Sequence, residues 1–222
     1  MIEIPDTTKA YEFENSFYLT CKPSRIGKLL AHYELYQIAS EVAGTIVEFW
    51  IFKGPSFSRF AMFRSLFEHE ETRSILGFDI FGKFPETQFE DDKPALKKFI
   101  ESAGDQSISE DQLIEVLRAK RCDQNVELVA GDICKTLPEY LKNKPHTRFS
   151  LIHLDVDIYE PSACVIENAF PLLAVGGVLV LDDYGIFPGA TKAVDDYFKD
   201  RPEKIRKFSF SNAPCYVIKE TH

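Results

Sequence analysis

Short apolar runs rich in β-branched and aromatic residues recur along the chain, and segments with helical spacing separate most of them. This alternation predicts a parallel β-sheet with helices on both faces, because parallel strands need a long crossover that a helix provides. Ligands of such open α/β sheets bind beyond the carboxyl ends of the strands. Five runs fit parallel strands, and they cover residues 45–52, 74–81, 125–133, 147–157 and 176–185.

Helical segments are predicted before and between these strands. Residues 25–43 place apolar side chains at near-helical spacing, and Gly44 follows as a stop signal. Ser109, with Gln112 three residues later, has the pattern of a capping box in a helix over 107–120. Further helices are predicted over 56–71, 161–173 and 191–200.

The length of 222 residues fits a single domain. We expect residues 1–44 to form a helical extension or lid on a core of residues 45–222. The polar stretch 83–106 is predicted to be a loop that also covers the ligand site, since long insertions of this kind are commonly functional. Two runs, 205–210 and 215–220, predict a terminal antiparallel pair of strands.

Composition excludes several classes of protein. The net charge of −9 disfavours a nucleic acid or an anionic membrane as the main partner. No apolar run approaches the ~20 residues of a membrane span, and the N-terminal segment lacks the pattern of a secretory signal. The five cysteines are scattered without a CxxC spacing, which favours reduced thiols. We therefore expect a cytoplasmic protein that contacts neither membrane nor nucleic acid.

All five predicted parallel strands end in or near a carboxylate. If the last two of them are neighbours, Asp155, Asp182 and Asp183 converge, because adjacent strands lie ~4.8 Å apart. Three like charges need a cation or a retained proton, and oxygen ligands favour Mg²⁺, Ca²⁺ or Mn²⁺ over zinc. The alternative is that Asp183 caps a turn and Asp157 caps the following helix. The carboxylates at the strand ends are Glu48, Asp79, Asp132, Asp155 with Asp157, and Asp182 with Asp183.

The strand that ends near Glu48 runs into a turn with a single glycine, Gly54, which is a weak indication of a nucleotide-type ligand. In such folds an acidic residue at the position of Asp79 bonds ribose hydroxyls, and Gly131 with Asp132 would flank the base. The sequence has no P-loop, no GxSxG, no HExxH and no GxGxxG motif. These absences disfavour Walker-type phosphoryl transfer, an α/β-hydrolase, a zinc protease and an NAD-type oxidoreductase.

A histidine, His153, precedes Asp155 by two residues in the fourth predicted strand. A histidine within an apolar strand is more typical of a buried residue that supports the site than of a catalytic base. A role as a helper whose charge is set by the neighbouring carboxylate stays open.

Several motifs occur in an order that resembles the macrocin-type (TylF-like) O-methyltransferase family. The most specific are LDVDIYEP, LDDYG and AVDDYF, and the resemblance extends over about residues 25–219. It implies a class I S-adenosylmethionine (SAM)-dependent methyltransferase with a seven-stranded, mainly parallel sheet and an antiparallel last strand. It also implies O-methylation of a sugar hydroxyl, on a deoxysugar of a natural product or on a surface glycan, often with Mg²⁺. The supporting segments are RIGKLLAHYELYQIA, VEFWIFKGPSFSRFA, FDIFGKFPE, GDICKTLPEYL, LDVDIYEPS and GGVLVLDDYGIFPGATKAVDDYF.

The resemblance also implies roles for individual residues. Asp155, Asp182 and Asp183 would bind the metal ion, and Asp155 would also act as the catalytic base. The partners implied are a small-molecule or glycan substrate and further copies of the chain, in a homodimer or higher oligomer. The implied cofactor-binding residues are Glu48, Trp50, Lys53, Gly54, Ser56, Asp79, Phe81, Gly131 and Asp132.

The chain departs from the family pattern in the first cofactor motif. Trp50 stands where the family has glycine, and Pro55 stands where a second glycine is common. Glycine at the first position lets the backbone approach the cofactor closely. The Trp50 ring either fills the methionine end of the SAM pocket or packs into the core as a buried aromatic. If it fills the pocket, the chain is a catalytically silent relative that acts as a binding module.

Overall fold

The computed structural model describes residues 2–220, and a seven-stranded sheet forms the centre of this part of the chain. The strand order is β3-β2-β1-β4-β5-β7-β6, with β1 to β5 parallel and β7 antiparallel to both neighbours. The predicted mainly parallel sheet with an antiparallel last strand is confirmed. The strands are β1 (Thr45–Phe49), β2 (Ile75–Asp79), β3 (Val126–Ala130), β4 (Phe149–Leu154), β5 (Leu173–Leu181), β6 (Arg206–Lys207) and β7 (Cys215–Ile218).

Eight α-helices lie within residues 2–220. The predicted capping box is present, since the Ser109 hydroxyl accepts from the Gln112 amide and the Gln112 side chain accepts from the Ser109 amide. The helices are α1 (Ala10–Thr20), α2 (Pro23–Ser40), α3 (Pro55–Phe67), α4 (Lys93–Ala103), α5 (Glu110–Ala119), α6 (Ile133–Asn143), α7 (Tyr159–Ala169) and α8 (Pro188–Phe198).

The sheet separates two apolar cores. Successive side chains of a strand point to opposite faces, so Leu151 of β4 packs in one core and its neighbour Ile152 packs in the other. Buried residues of α2, α3 and α5 cover the face of Leu151. Buried residues of α6, α7 and α8 cover the face of Ile152. The predicted arrangement of helices on both faces is therefore present.

Several elements begin or end at other residues than predicted, and two of these differences bear on the site. The first strand ends at Phe49 and not at residue 52, because Trp50 has a φ of 67° and turns the chain out of the sheet. The stretch 83–106, predicted to be a loop, contains α4. Pro94 marks a loop by its composition, yet it lies in the first turn of α4, where a proline needs no hydrogen-bond donor.

The carboxyl ends of β1, β4 and β5 are neighbours in the sheet. The N-terminal part of the chain reaches this edge through α2, which packs against β4, β5 and α3. Among residues 2–220, no helix is long and apolar enough to cross a membrane. The fold thus brings side chains of α2 next to the strand ends that carry the predicted carboxylates.

Candidate active site

Three carboxylates, those of Asp155, Asp157 and Asp183, meet at the carboxyl ends of β4 and β5. Each offers an oxygen atom that lies within 4.8 Å of the oxygens of the other two. Asp157 Oδ2 is buried and accepts no hydrogen bond from any described residue. Burial and mutual repulsion raise the pKa of all three carboxyls well above their ordinary value. Such a cluster favours a compensating cation.

The local backbone explains why these carboxylates do not act as caps. Asp157 adopts a left-handed conformation with a φ of 59°, and its amide donates to Asp183 Oδ2 at 2.9 Å. The N-cap of α7 is Ile158, which has no side-chain hydrogen bond among the described residues. The Asp183 backbone carbonyl, and not its carboxylate, accepts from the amides of the following turn. The two capping interpretations therefore do not describe this structure.

Asp182, predicted to join this cluster, has other partners. Lys28 of α2 donates to Asp182 Oδ2, and Asp182 Oδ1 lies 3.6 Å from Nε2 of both His32 and His153. Burial raises the pKa of Asp182, but Lys28 and the two histidines outweigh it and hold the pKa well below its ordinary value. Asp182 is therefore ionised and already faces an internal cation.

A buried polar chain extends from Asp182 to β1. His153 is fully buried, and its Nδ1 lies 3.4 Å from Oε2 of Glu48. Burial lowers the pKa of His153, but Glu48 and Asp182 outweigh it and raise the pKa to about 10. Glu48 Oε1 accepts from the Ser56 hydroxyl at 2.6 Å. His153 thus lies buried between two carboxylates, as expected for a histidine within an apolar strand.

His32, His153 and Asp182 also bring ligand-type atoms within 4.8 Å of one another. Arg59 Nη1 lies 3.0 Å from His32 Nδ1. Because a guanidinium only donates, Nδ1 must accept, and the proton of neutral His32 lies on Nε2. A metal ion at this point would need the lone pair of that nitrogen. With its proton on Nε2, His32 offers no lone pair to a metal ion, so this group is a buried cluster of charged and polar side chains and not a metal site.

A cavity of about 240 Å³ opens beyond the ends of β1 and β2. Trp50 and Asp132 line it, and so does Val156, which lies between two of the clustered carboxylates. The segment of residues 84–88 contributes Phe84, Pro85, Glu86 and Gln88 to its wall. The cavity is therefore next to the acidic cluster, and the starts of α6 and α7 border it.

Trp50 is nearly buried and belongs to both the core and the cavity wall. Its ring stacks on Phe52 at 5.0 Å between centroids and meets the edge of Phe84 at 4.5 Å. Phe99 of α4 lies 5.7 Å away on a further side. The ring packs as a core aromatic on these sides and leaves a cavity on another. The ring thus packs as a buried aromatic and forms one wall of the cavity without filling it.

The carboxylate of Asp79, predicted to bind ribose, is buried against backbone amides. Its Oδ2 accepts from the Phe52 amide at 2.8 Å and its Oδ1 from the Phe81 amide at 2.6 Å. Phe52 and Phe81 have φ values of 53° and 52°, so Asp79 holds two left-handed residues in place. In this structure Asp79 supports the loops that surround the cavity and does not line the cavity itself.

The other predicted cofactor residues shape the same loops. Gly54, with a φ of 83°, is the N-cap of α3, and Lys53 Nζ donates to the Ala103 carbonyl at the end of α4. Gly131, with a φ of 131°, precedes Asp132, whose side chain caps α6 by accepting from the Cys134 amide. Of the nine predicted cofactor residues, Trp50 and Asp132 line the cavity.

Sequence reasoning missed three residues of this region. Asp157 belongs to the LDVD motif and is a predicted strand-end carboxylate, but the sequence assigns it no role beyond a helix cap. Lys28 and His32 are four residues apart on a predicted helix, so the sequence places them on one face. Nothing in that spacing indicates that this face meets Asp182, because the contact depends on how α2 packs on the sheet.

The strand order and the position of the site match the class I methyltransferase fold. Its features are a sheet of this strand order with an antiparallel last strand, a cavity beyond β1, and carboxylates at the ends of β4 and β5. Residues 24–207 match the macrocin-O-methyltransferase (TylF) family. The chain belongs to that family, as the motifs in the sequence implied.

Named relatives are O-methyltransferases. A Streptomyces olivaceus 8-demethyl-8-(2,3-dimethoxy-alpha-L-rhamnosyl)-tetracenomycin-C 4'-O-methyltransferase is 37% identical over 75 residues. A Streptomyces niveus demethyldecarbamoylnovobiocin O-methyltransferase is 32% identical over 75 residues. These matches cover 34% of this chain, and the chain spans only 27% of the length of either relative.

The same architecture has been solved in CalS11, a calicheamicin methyltransferase. The two chains superpose with a TM-score of 0.77 at 28% sequence identity, over 96% of this chain and 86% of CalS11. CalS11 is described as a TDP-rhamnose 3'-O-methyltransferase.

Proposed function

We propose that this protein transfers a methyl group from SAM to a hydroxyl group of a sugar. The observation that carries the proposal is the position of Val156. It lines the cavity, and it lies between Asp155 and Asp157 of the acidic cluster. A cofactor in the cavity and an acceptor at the cluster would therefore be next to each other. Membership in the family and the names of its sugar-modifying members support this substrate class.

The acidic cluster suits a hard divalent cation such as Mg²⁺. Asp155, Asp157 and Asp183 offer oxygen ligands, one buried oxygen of Asp157 lacks a hydrogen bond from the described residues, and mutual repulsion raises all three pKa values. When bound there, the cation would lower the pKa of the acceptor hydroxyl.

The chain's own residues would supply orientation and a base. Asp155 has the most exposed side chain of the cluster, about 20% accessible, so an acceptor hydroxyl can reach it. Its raised pKa brings the carboxyl closer to the working pH of a general base. The hydroxyl proton would move to a carboxylate oxygen of Asp155, while the new carbon–oxygen bond forms as the carbon–sulfur bond of SAM breaks. Holding the two reactants in line would provide most of the acceleration.

The alternative of a silent relative depended on Trp50 filling the pocket. The indole instead packs against Phe52, Phe84 and Phe99, and a cavity is present beside it. We therefore favour the catalytic proposal.

The test is a transfer assay with methyl-labelled SAM, Mg²⁺ and a panel of nucleotide-linked deoxysugars that includes TDP-rhamnose. We expect label in the sugar product, and we expect Asp155→Asn to reduce the rate by about 10²- to 10⁴-fold, the usual contribution of a general base. Asp200→Asn, a change of an exposed carboxylate two residues after the end of α8, is the matched control. An Asp155→Asn variant that transfers label as fast as this control would contradict the assignment.

A further inference from the structure

Lys28 is the feature of this site that the proposed chemistry does not use. It lies on α2, and its ammonium donates to Asp182 Oδ2. The side chain is 22% exposed, whereas that of Asp182 is 8% exposed. The helix itself is anchored by buried residues such as Ala31 and Leu35. Lys28 can therefore leave Asp182 by moving its side chain while the helix stays in place.

The surroundings of Asp182 leave one oxygen for a cation. His32 and His153 both face Oδ1 at 3.6 Å. The other oxygen, Oδ2, faces Lys28, and Asp155 and Asp183 attract the same ammonium. Lys28 therefore places a positive charge at the border between Asp182 and the acidic cluster.

We propose that Lys28 is a tethered cation that competes with a divalent cation for Asp182. This inference rests on the proposed function in one respect, that a divalent cation binds at the cluster. Asp155, Asp157 and Asp183 would hold the ion whether or not Lys28 contacts Asp182. Asp182 would join them only after the Lys28 ammonium has left it. The lysine thus lowers the affinity for the ion and keeps Asp182 neutralised while the ion is absent.

The probe is Mn²⁺ alone, with the free ion counted by electron paramagnetic resonance as it is titrated into the apo-protein. Lys28→Met removes the charge and keeps the length of the side chain, so we expect binding tighter by about tenfold or more, since a nearby like charge is lost. Lys28→Arg keeps the charge and should bind Mn²⁺ as the unmodified protein does. Lys22→Met, at an exposed lysine just before α2, is the control and should leave the affinity unchanged.

A Lys28→Met variant that binds Mn²⁺ equally or more weakly would overturn the inference, because Lys28 would then only orient Asp182. The proposed function would survive that result. Absence of Mn²⁺ binding in every variant would overturn both the inference and the metal part of the proposed function. Methyl transfer that persists in the presence of a metal chelator would then still support the proposed methyltransferase activity. If Lys28→Met unfolds, Lys28→Gln keeps a donor toward Asp182 without the charge, and the same increase in affinity is expected.

Discussion

Trp50 has a backbone conformation that tryptophan seldom adopts. Its φ of 67° lies in the left-handed region, which favours the glycine that the resemblance to the family predicts at this position. Such strain costs about 1–3 kcal/mol. The Trp50 amide donates to the Phe78 carbonyl at 2.8 Å, and the indole packs against three phenylalanine rings. These contacts offset the strain.

Replacing Trp50 with glycine tests this balance. Loss of the buried ring should cost about 3–5 kcal/mol and relief of strain should return about 1–3 kcal/mol, so we expect the free energy of unfolding to fall by about 2 kcal/mol and by no more than ~4 kcal/mol. Loss of one cavity wall should weaken SAM binding by roughly tenfold. Urea unfolding and calorimetric titration measure the two effects. Trp50→Phe keeps an aromatic ring, so its free energy of unfolding and its SAM affinity should both fall less than those of Trp50→Gly. Tighter SAM binding by Trp50→Gly would show that the indole obstructs the pocket.

The positions of the strand-end carboxylates could be predicted because apolar runs and their terminal acids are visible in the sequence. The direction in which each carboxylate points could not be predicted from the sequence. Asp79 turns toward the amides of Phe52 and Phe81, and those amides are available only because both residues are left-handed. Asp182 turns toward Lys28, which precedes it by 154 residues. These side-chain directions depend on tertiary contacts, which cannot be derived from the spacing of residues in the sequence.

At the scale of elements, α7 holds the segment that walls the cavity. Glu160, in the first turn of α7, accepts from the amides of Gln88 and Phe89 at 2.7 and 3.1 Å and from the Thr87 hydroxyl at 3.0 Å. Asp92, just before α4, accepts from the amides of Tyr159 and Gly189. Two carboxylates thus fasten the 83–106 stretch to the starts of α7 and α8.

Glu160→Gln should loosen this attachment, because a neutral amide accepts these hydrogen bonds less strongly than a carboxylate. We expect hydrogen exchange at the Gln88 and Phe89 amides to accelerate by about tenfold, since charged hydrogen bonds contribute about 1.5–3 kcal/mol. Glu101→Gln, at an exposed position of α4, is the control. Unchanged exchange at both amides would contradict the role of Glu160.

The same attachment should depend on pH. Burial raises the pKa of Glu160, but hydrogen bonds from its own backbone, from residues 88 and 89 and from Thr87 outweigh it, so the folded-state pKa lies below 4.5. A depressed carboxyl pKa stabilises the fold above the unfolded value, and this stabilisation is lost as the pH falls through the folded value. The protection factors of the two amides, which correct for the intrinsic exchange rate at each pH, should therefore fall below pH 4.5 in the unmodified protein and change less in Glu160→Gln.

For the whole molecule, the acidic cluster should make stability depend on pH and on divalent cations. The pKa values of Asp155, Asp157 and Asp183 are raised in the folded state. Raised carboxyl pKa values destabilise the fold progressively as the pH rises from the unfolded value, near 3.8, through the folded values. A cation at the cluster should reverse this loss. Saturating Mg²⁺ should add about 2.7 kcal/mol at a hundredfold excess over its Kd.

Thermal unfolding at pH 8 and pH 5, with and without Mg²⁺, measures this effect. We expect the Mg²⁺-dependent rise in Tm to be larger at the higher pH, where the carboxylates are ionised. Asp157→Asn should reduce the rise, whereas the surface variant Asp200→Asn should preserve it. An equal rise at both pH values would indicate that Mg²⁺ binds elsewhere.

Calorimetric titration of SAM into the purified protein, with and without Mg²⁺, tests the central claim most directly. A cavity beside Trp50 in a member of this methyltransferase family predicts binding in the micromolar range, about −8 kcal/mol. Absence of binding in both conditions, in a protein shown to be folded, would contradict the claim and favour a silent relative.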